Sequence, residues 1–575
     1  MASTEELRNQ EAERDRFARA IVDSTEPKKV IVSGPGTGKT YLFGQILNQK
    51  PGNYLILTFI NNLASKLNQE LGDRARCCTF HSFCKSLLHK VKRAGIDDSF
   101  ILYPHLDLIV KSDAIFLLGK ELNFRQSFTQ LHRKSPELEF FIKRSNYYNS
   151  ISFDDSVFRV IEHFEQNPSD IPTFDQVLVD EYQDFNLLES TFIDLISQKN
   201  AILIVGDDDQ ALYGQLKDAS PQHIREKYHS KEYKSFELPY CSRCTAVVVD
   251  SILDILAVAK ASNKLRDRVN KRYICYLPKK LDDSNTYPKI IHAHCSVQSE
   301  KVPYLSRFIE KEIGSLDQKE IEEANNEADF TVLITGPHHY LKQIYSYLTK
   351  RHQDWQIVYN KPDDMPKRIN ILDGYRILIN NDRASNLGWR IILVQERVEI
   401  LRDVVKKSFE NNKYIYDYIP KDVKNKHEAI VELLDNVKNG VKVSKEEQRL
   451  LESSFKQDLA KLQAYLLEQV EEVNEAKDKQ RISVIMTTYV GCKGLSTGYV
   501  FAVGLNEGNL PKNNRNPSDI EICQMIVILT RTVKKCYLTS VGRFAGKLAG
   551  LPSIFLQWIG TKNLKEEIID KNYSF

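Results

Sequence analysis

Neither sign of charge dominates this 575-residue chain: 80 lysines and arginines face 77 aspartates and glutamates, a formal net charge of +3. Any surface for a polyanion must therefore be a local stripe, not the field of a basic protein. No run of about 18 apolar residues occurs, so no membrane span is expected. The leading MASTEELRNQEAERDRFARA lacks both the apolar core of a secretory signal and the Arg/Ser-rich, acid-poor character of a transit peptide. Ten cysteines are too few for a disulfide framework and sit among apolar residues, which points to reduced thiols in a cytoplasmic protein. There is no repeat and no low-complexity tract. With 42% hydrophobic and 27% charged residues, a disordered chain is excluded. The length suits roughly three to five compact units.

What is present is a series of short Val/Ile/Leu runs bounded by turn residues. One set comprises Lys29–Ser33, Tyr54–Phe59, Gln176–Asp180 and Ala201–Gly206. A second comprises Phe330–Thr335, Ile482–Met486, Tyr499–Gly504 and Cys536–Thr539. Continuous apolar runs, as opposed to alternation, mark strands buried on both faces. With helical patterns between them, they predict an α/β protein with two parallel-sheet lobes, residues 1–245 and 246–575. Helical stretches at about 86–165 and about 390–480 interrupt the two lobes. The second contains an amphipathic helix or helix pair, SKEEQRLLESSFKQDLAKLQAYLLEQVEEVNEAKDKQ.

Three strand ends carry chemistry. Val30–Ser33 runs into Gly34-Pro35-Gly36-Thr37-Gly38-Lys39-Thr40 and then a helical pattern. Strand, glycine-rich turn, Lys-Thr and helix form a phosphate-binding context, in which backbone N–H groups and a helix N-terminus surround the anion. Lys39 would reach the β/γ-phosphates of ATP and Thr40 would hold Mg2+. Ser33 stands where the strict motif has its first glycine; Gly34 and Gly36 supply the turn. Val177-Leu178-Val179 ends in Asp180-Glu181, read as metal ligand and water-orienting base. Ile202–Val205 ends in Gly206-Asp207-Asp208-Asp209-Gln210, and the Gln210 amide suits a γ-phosphate or attacking water.

Together these segments resemble the UvrD/Rep type of superfamily 1 helicase. Asp180-Glu181-Tyr182-Gln183-Asp184 matches that family's D-E-x-Q-D, and Gly206–Gln210 with Leu212-Tyr213 matches its third motif. Leu57-Thr58-Phe59-Ile60-Asn61 and Thr79-Phe80-His81-Ser82-Phe83 resemble its strand-contacting segments. Ser242-Arg243-Cys244 resembles the fourth motif, Thr488 with Lys493-Gly494-Leu495 the fifth, and Leu529-Thr530-Arg531 the sixth. The resemblance implies two RecA-like lobes with ATP and Mg2+ in the cleft. It implies Lys39, Glu181, Gln210, Arg243 and Arg531 as catalytic residues. Ser33 to Thr40, Tyr240 and Gly494 would bind nucleotide, and Thr40 and Asp180 the metal. Phe59, Asn61, Thr79, His81, Tyr213 and Thr488 would contact nucleic acid.

The implied activity is 3′→5′ translocation on single-stranded DNA or a tailed duplex, driven by ATP hydrolysis. The alternative is an accessory DNA-stimulated ATPase acting with a partner nuclease in repair or defence, since this chain shows no nuclease constellation. Several positions depart from the family. The base-stacking aromatic of the third motif is absent around Gln215-Leu216, the second insertion is short, and the adenine-reading glutamine is not at its usual distance, Gln10 being the only nearby candidate. Two further features are weighed as surfaces for a strand: the basic stretch Lys85, His89, Lys90, Lys92 and Arg93, and the group Arg133, Lys134, Lys143 and Arg144 with Tyr147 and Tyr148. Cys77, Cys78, His81 and Cys84, and the pair Cys241 and Cys244, are weighed as metal ligands against buried thiols.

Overall fold

The computed structural model describes residues 4–58, 64, 68, 74–90, 96, 98–296, 303–360, 369–467 and 479–575, apart from the side chains at 215 and 216. The expected strand contacts Phe59 and Asn61, the ring missing near Leu216, and Lys92 and Arg93 fall outside that set.

Two large parallel sheets form. The first contains β1 (Lys28–Val32), β2 (Tyr54–Thr58), β3 (Ala75–Thr79), β4 (Gln176–Val179), β5 (Ile202–Gly206) and β6 (Lys234–Phe236). Their order is β3-β2-β4-β5-β1-β6. The second contains β7 (Ile290–Cys295), β8 (Phe330–Thr335), β9 (Gln356–Tyr359), β10 (Ser483–Thr487), β11 (Thr497–Ala502), β12 (Thr532–Val541) and β13 (Leu564–Ile569), in the order β9-β10-β8-β11-β12-β7-β13. The second sheet has a core on each face: Leu333, Ile485, Val500 and Leu538 pack on one, Val332, Ile334, Val484 and Phe501 on the other. Burial on both faces is why these strands read as unbroken apolar runs.

All eight expected strands are present, displaced by a few residues at their ends. Within these two sheets the five strands that the pattern missed are β3, β6, β7, β9 and β13. Four of these are sheet edges, where one side needs no partner and polar residues such as Lys565, Glu566 and Glu567 are tolerated. The fifth, β7, is internal, but His292 and His294 interrupt its apolar run.

The chain divides into two compact units. One comprises Met1–Phe80, Ile171–Asp363 and Lys477–Phe575, and so contains both sheets. The other joins His81–Asp170 to Asp364–Ala476. The helical insertions of the two lobes thus pack together as a single unit. The second opens at 364, ahead of the expected 390, because helices Ile371–Asn380 and Asn386–Ile392 pack at close range. A Cβ on Gly374 would stand 2.8 Å from the Gly388 carbonyl, so glycine permits the approach. The expected amphipathic stretch forms helices Lys445–Phe455 and Leu459–Leu466, and its residues 468–478 lie outside the described residues.

The helical unit is pinned by a buried ion triad. Asp113 Oδ2 accepts from Arg144 Nε (2.9 Å) and Tyr148 OH (2.6 Å), and Oδ1 accepts from Arg390 Nε (2.8 Å). Asp113 and Arg144 are wholly buried and Arg390 is 1% exposed. Burial alone would raise the Asp113 carboxyl, but Arg144 and Arg390 outweigh it and hold it below the usual range. This corrects the reading of Arg144 and Tyr148 as a strand-binding surface. Arg133 is likewise engaged, by Glu162 and Glu165.

Removing Asp113 would strand two buried guanidiniums. Asp113→Ala is therefore expected to cost about 3–5 kcal/mol of unfolding free energy. Because the folded-state pKa is depressed, this stabilisation is present above the unfolded carboxylate value near ~4 and is lost as pH falls through the folded one. Urea unfolding of wild type and variant between neutral and acid pH measures both effects. Equal stability at neutral pH would refute the triad's role.

Candidate nucleotide site

Sheet order assembles the site. Because β4, β5 and β1 are adjacent, the loops leaving their C-terminal ends converge on one edge. Those loops are Ser33–Thr40, Asp180–Asp184 and Asp207–Gln210, the three segments singled out from sequence.

The loop after β1 turns through Gly36 (φ +70°) and Gly38 (φ +88°), a left-handed geometry that disfavours side chains. A Cβ on Gly36 would also stand 2.6 Å from Arg243 Cβ. Thr37 Oγ1 donates to the Gly34 carbonyl (2.9 Å), bracing the turn. Pro35 is buried in it, and its carbonyl accepts from Tyr273 OH (3.1 Å). Gly38 caps helix Lys39–Gln49, so Lys39 and Thr40 stand in its first turn. Lys39 Nζ donates to the carbonyls of Ser33 (3.3 Å) and Gly34 (3.0 Å), holding the cation over the glycine cradle. Cradle, cation and helix N-terminus suit a polyphosphate.

Asp180 is 3% exposed, and its Oδ1 accepts from Glu181 N (2.9 Å). Burial pushes its carboxyl up, and the neighbouring Glu181 charge adds to this. A buried, under-compensated carboxylate beside Lys39 fits a divalent cation, with the Thr40 hydroxyl as the companion oxygen donor. Glu181 takes a left-handed backbone (φ +53°). Burial would raise its carboxyl, but Lys493 and Lys39 outweigh this and keep it low. Gln183 binds the neighbouring loops together: its Nε2 donates to Glu181 Oε2, and its Oε1 accepts from Asp207 N (2.9 Å).

The second sheet supplies cations. Arg531 follows helix Asp519–Leu529 and is 3% exposed. It donates to the Leu495 carbonyl (2.9 Å), the Val527 carbonyl (3.0 Å) and Gln210 Oε1 (3.0 Å). Arg243 Nη1 lies 3.5 Å from the Thr530 carbonyl. Lys493 Nζ reaches Asp184 and the Gln210 carbonyl (2.6 Å) and sits 5.1 Å above the Tyr213 ring. Gly494 turns with φ +86° just after it. The sequence marks Lys493 only through the fifth-motif resemblance; its buried ion pair with Asp184 is set by the tertiary structure.

Beside the loop lies a cavity of about 100 Å³ lined by Arg14, Thr37, Gly38, Tyr41, Gln45 and Tyr240. Tyr240 OH donates to Glu13, and the Arg14 guanidinium stacks 4.3 Å from the Tyr276 ring. Gln10, the nearby candidate for reading adenine, spends its Oε1 on Leu277 N (3.0 Å) and does not line this cavity. Arg14 and Gln45, neither marked by a motif, line it instead.

Of the nucleic-acid candidates, Thr79 ends β3, and His81 packs on the Phe153 ring at 4.7 Å. Tyr213 sits at the start of helix Gly214–Lys217, and Thr488 Oγ1 accepts from Gly491 N (3.2 Å). His89, within the basic stretch, stacks on Phe100. All ten cysteines are free thiols, and nine are buried. Among the described residues Cys77, Cys78, His81 and Cys84, and Cys241 with Cys244, do not come together as a group of three or more metal-ligating side chains. Among the described residues no helix is long and apolar enough to cross a membrane.

Residues 18–215 match the model of a family described as an AAA domain. The chain is 26% identical over 317 residues to the ATP-dependent DNA helicase PcrA of Staphylococcus aureus, covering 47% of this chain and 42% of that protein. It is 23% identical over 662 aligned positions to the PcrA of Staphylococcus epidermidis, covering 96% of this chain and 86% of that protein. The match thus spans less than half the length of the Staphylococcus aureus relative.

Proposed function

We propose that this chain, a relative of the UvrD-like superfamily 1 helicases, is an ATP-dependent motor that moves 3′→5′ along single-stranded DNA. The observation carrying this reading is the bond from Arg531, beside the second sheet, to Gln210 on the first. It joins the two sheets at the point where the phosphate loop and the carboxylates converge, so a change at the nucleotide would be felt by both.

In this reading Lys39 and the amides from Ser33 to Thr40 hold the phosphates. Asp180 and Thr40 would hold Mg2+, which when bound neutralises phosphate charge. Glu181, kept ionised by Lys493 and Lys39, takes the proton of the attacking water. Gln210 orients that water or the γ-phosphate, while Arg531 and Arg243 compensate charge that develops in the transition state. Tyr240 and Arg14 flank the cavity suited to the base. Thr79, His81, Tyr213 and Thr488 serve the strand.

The test is ATP turnover with and without single-stranded oligonucleotide, followed by strand displacement on 3′-tailed, 5′-tailed and blunt duplexes. Turnover is expected to rise with the oligonucleotide, and the activation to fall steeply from roughly 50 to about 200 mM salt as counterion release loses its drive. Displacement is expected from the 3′ tail. Turnover indifferent to DNA across that salt range would defeat the motor reading, and displacement from the 5′ tail alone would reverse the polarity.

A further inference from the structure

The loop after β5 carries three consecutive carboxylates, Asp207, Asp208 and Asp209, each no more than 3% exposed, with oxygens within 4.8 Å of one another. Such a triad needs cations, and side chains supply them. Lys271 Nζ stands 2.6 Å from Asp207 Oδ1, 2.6 Å from Asp208 Oδ1 and 2.8 Å from Asp209 Oδ2. Arg268 grips Asp209 with two bonds (2.9 and 2.7 Å), Arg225 Nε reaches Asp208 (2.9 Å), and Val269 N donates to Asp208 (2.8 Å). Three negative charges thus meet three positive ones inside the protein.

Arg268 and Lys271 lie in the segment after helix Ala246–Ala261. Tyr273 of the same segment rests on the phosphate loop: a Cβ on Gly34 would stand 2.4 Å from its ring.

From Lys271 the bonds run on to the site. Asp207 Oδ1 also accepts from Asp209 N (3.2 Å), and Oδ2 accepts from Gln210 Nε2 (2.7 Å). With its NH2 committed there, the Gln210 amide turns Oε1 towards the Arg531 guanidinium (3.0 Å). A carboxylate only accepts and a guanidinium only donates, so this amide has one workable orientation.

We propose that Lys271 is a positioning residue for Gln210: by holding the Asp207 carboxylate it sets which end of the Gln210 amide faces Arg531, and thereby the rate of hydrolysis, without touching nucleotide. The inference rests on the reading of Gln210 as the contact to the γ-phosphate or attacking water. Without the ammonium the Asp207 carboxylate loses its ion partner and is no longer held in place, so the Gln210 amide loses the fixed acceptor that turns its Oε1 towards Arg531.

Steady-state hydrolysis and fluorescent-nucleotide binding by the full chain test this in Gln210→Ala, Lys271→Gln, their double variant and Lys271→Arg. Each of the first two is expected to lower kcat by about tenfold or more, with KM and nucleotide affinity within about twofold of wild type. The double variant should be no slower than Gln210→Ala alone, because the two residues act through one amide. Lys271→Arg should restore most of the rate.

If the double variant loses the product of the two single losses, or Lys271→Gln raises KM at unchanged kcat, the proposal is overturned while the reading of Gln210 stands. Normal turnover by Gln210→Ala overturns both. A melting curve reports folding. If Lys271→Gln does not fold, Asp207→Asn carries the test. Lys271 will take the new amide's oxygen, leaving its NH2 against Gln210 Nε2, so the Gln210 amide again loses its acceptor and its set orientation. Loss of kcat alone supports the proposal, and retained kcat overturns it.

Discussion

Glu181→Gln is expected to lower ATP turnover by roughly 10²–10⁴-fold, the usual contribution of a positioned general base, while nucleotide binding survives. The substitution changes little but charge. Gln183 Nε2 donates to Glu181 Oε2, and an amide oxygen in the same place would still accept that bond. The left-handed backbone at Glu181 stays as it is, and Asp180, the proposed metal ligand, is unchanged. What disappears is the proton acceptor, which Lys493 and Lys39 keep ionised against burial. Lys39→Ala should differ in kind. It removes the cation over the glycine cradle, so affinity for nucleotide should fall together with turnover. Rapid-quench hydrolysis and equilibrium binding separate the two patterns. Near-normal turnover by Glu181→Gln would remove the base from the mechanism.

Arg531→Lys is expected to cost about 10³-fold or more in kcat, within the range for a transition-state arginine. Arg531 is planar and buried, with its donors spread over Leu495, Val527, Thr530 and Gln210. Burial and the nearby Arg243 both lower its pKa, yet a guanidinium stays charged at neutral pH. Lysine keeps a point charge but cannot reproduce that fork of donors. Nucleotide affinity should change little, since the phosphate loop is untouched, and the loss should appear in kcat at saturating ATP. Single-turnover kinetics would show it directly. A loss of only a few-fold would assign transition-state compensation to Arg243 instead.

The residues of both predictions were legible in the chain before any fold was known. Ser33–Thr40, Asp180-Glu181, Gly206–Gln210 and Leu529–Arg531 are contiguous, because a phosphate cradle or a strand-end carboxylate pair needs neighbouring backbone. The eight buried strands were legible because burial on both faces leaves no room for polar alternation. The edge strands were not, since an unpartnered edge relaxes that demand.

Tertiary structure alone decided which charges meet. Lys271 lies 64 and 63 positions from Asp207 and Asp208, Arg390 lies 277 from Asp113, and Arg531 lies 321 from Gln210. Among 80 lysines and arginines nothing local distinguishes Lys271 or Arg390 from a solvated surface cation. Nor does anything local show that Arg144, which read as a surface for a strand, is the buried partner of Asp113. Sequence periodicity reports how apolar an environment must be. It does not report which distant ion shares it, because that follows from the register of strands and the packing of helices, and burial then makes the pairing obligatory.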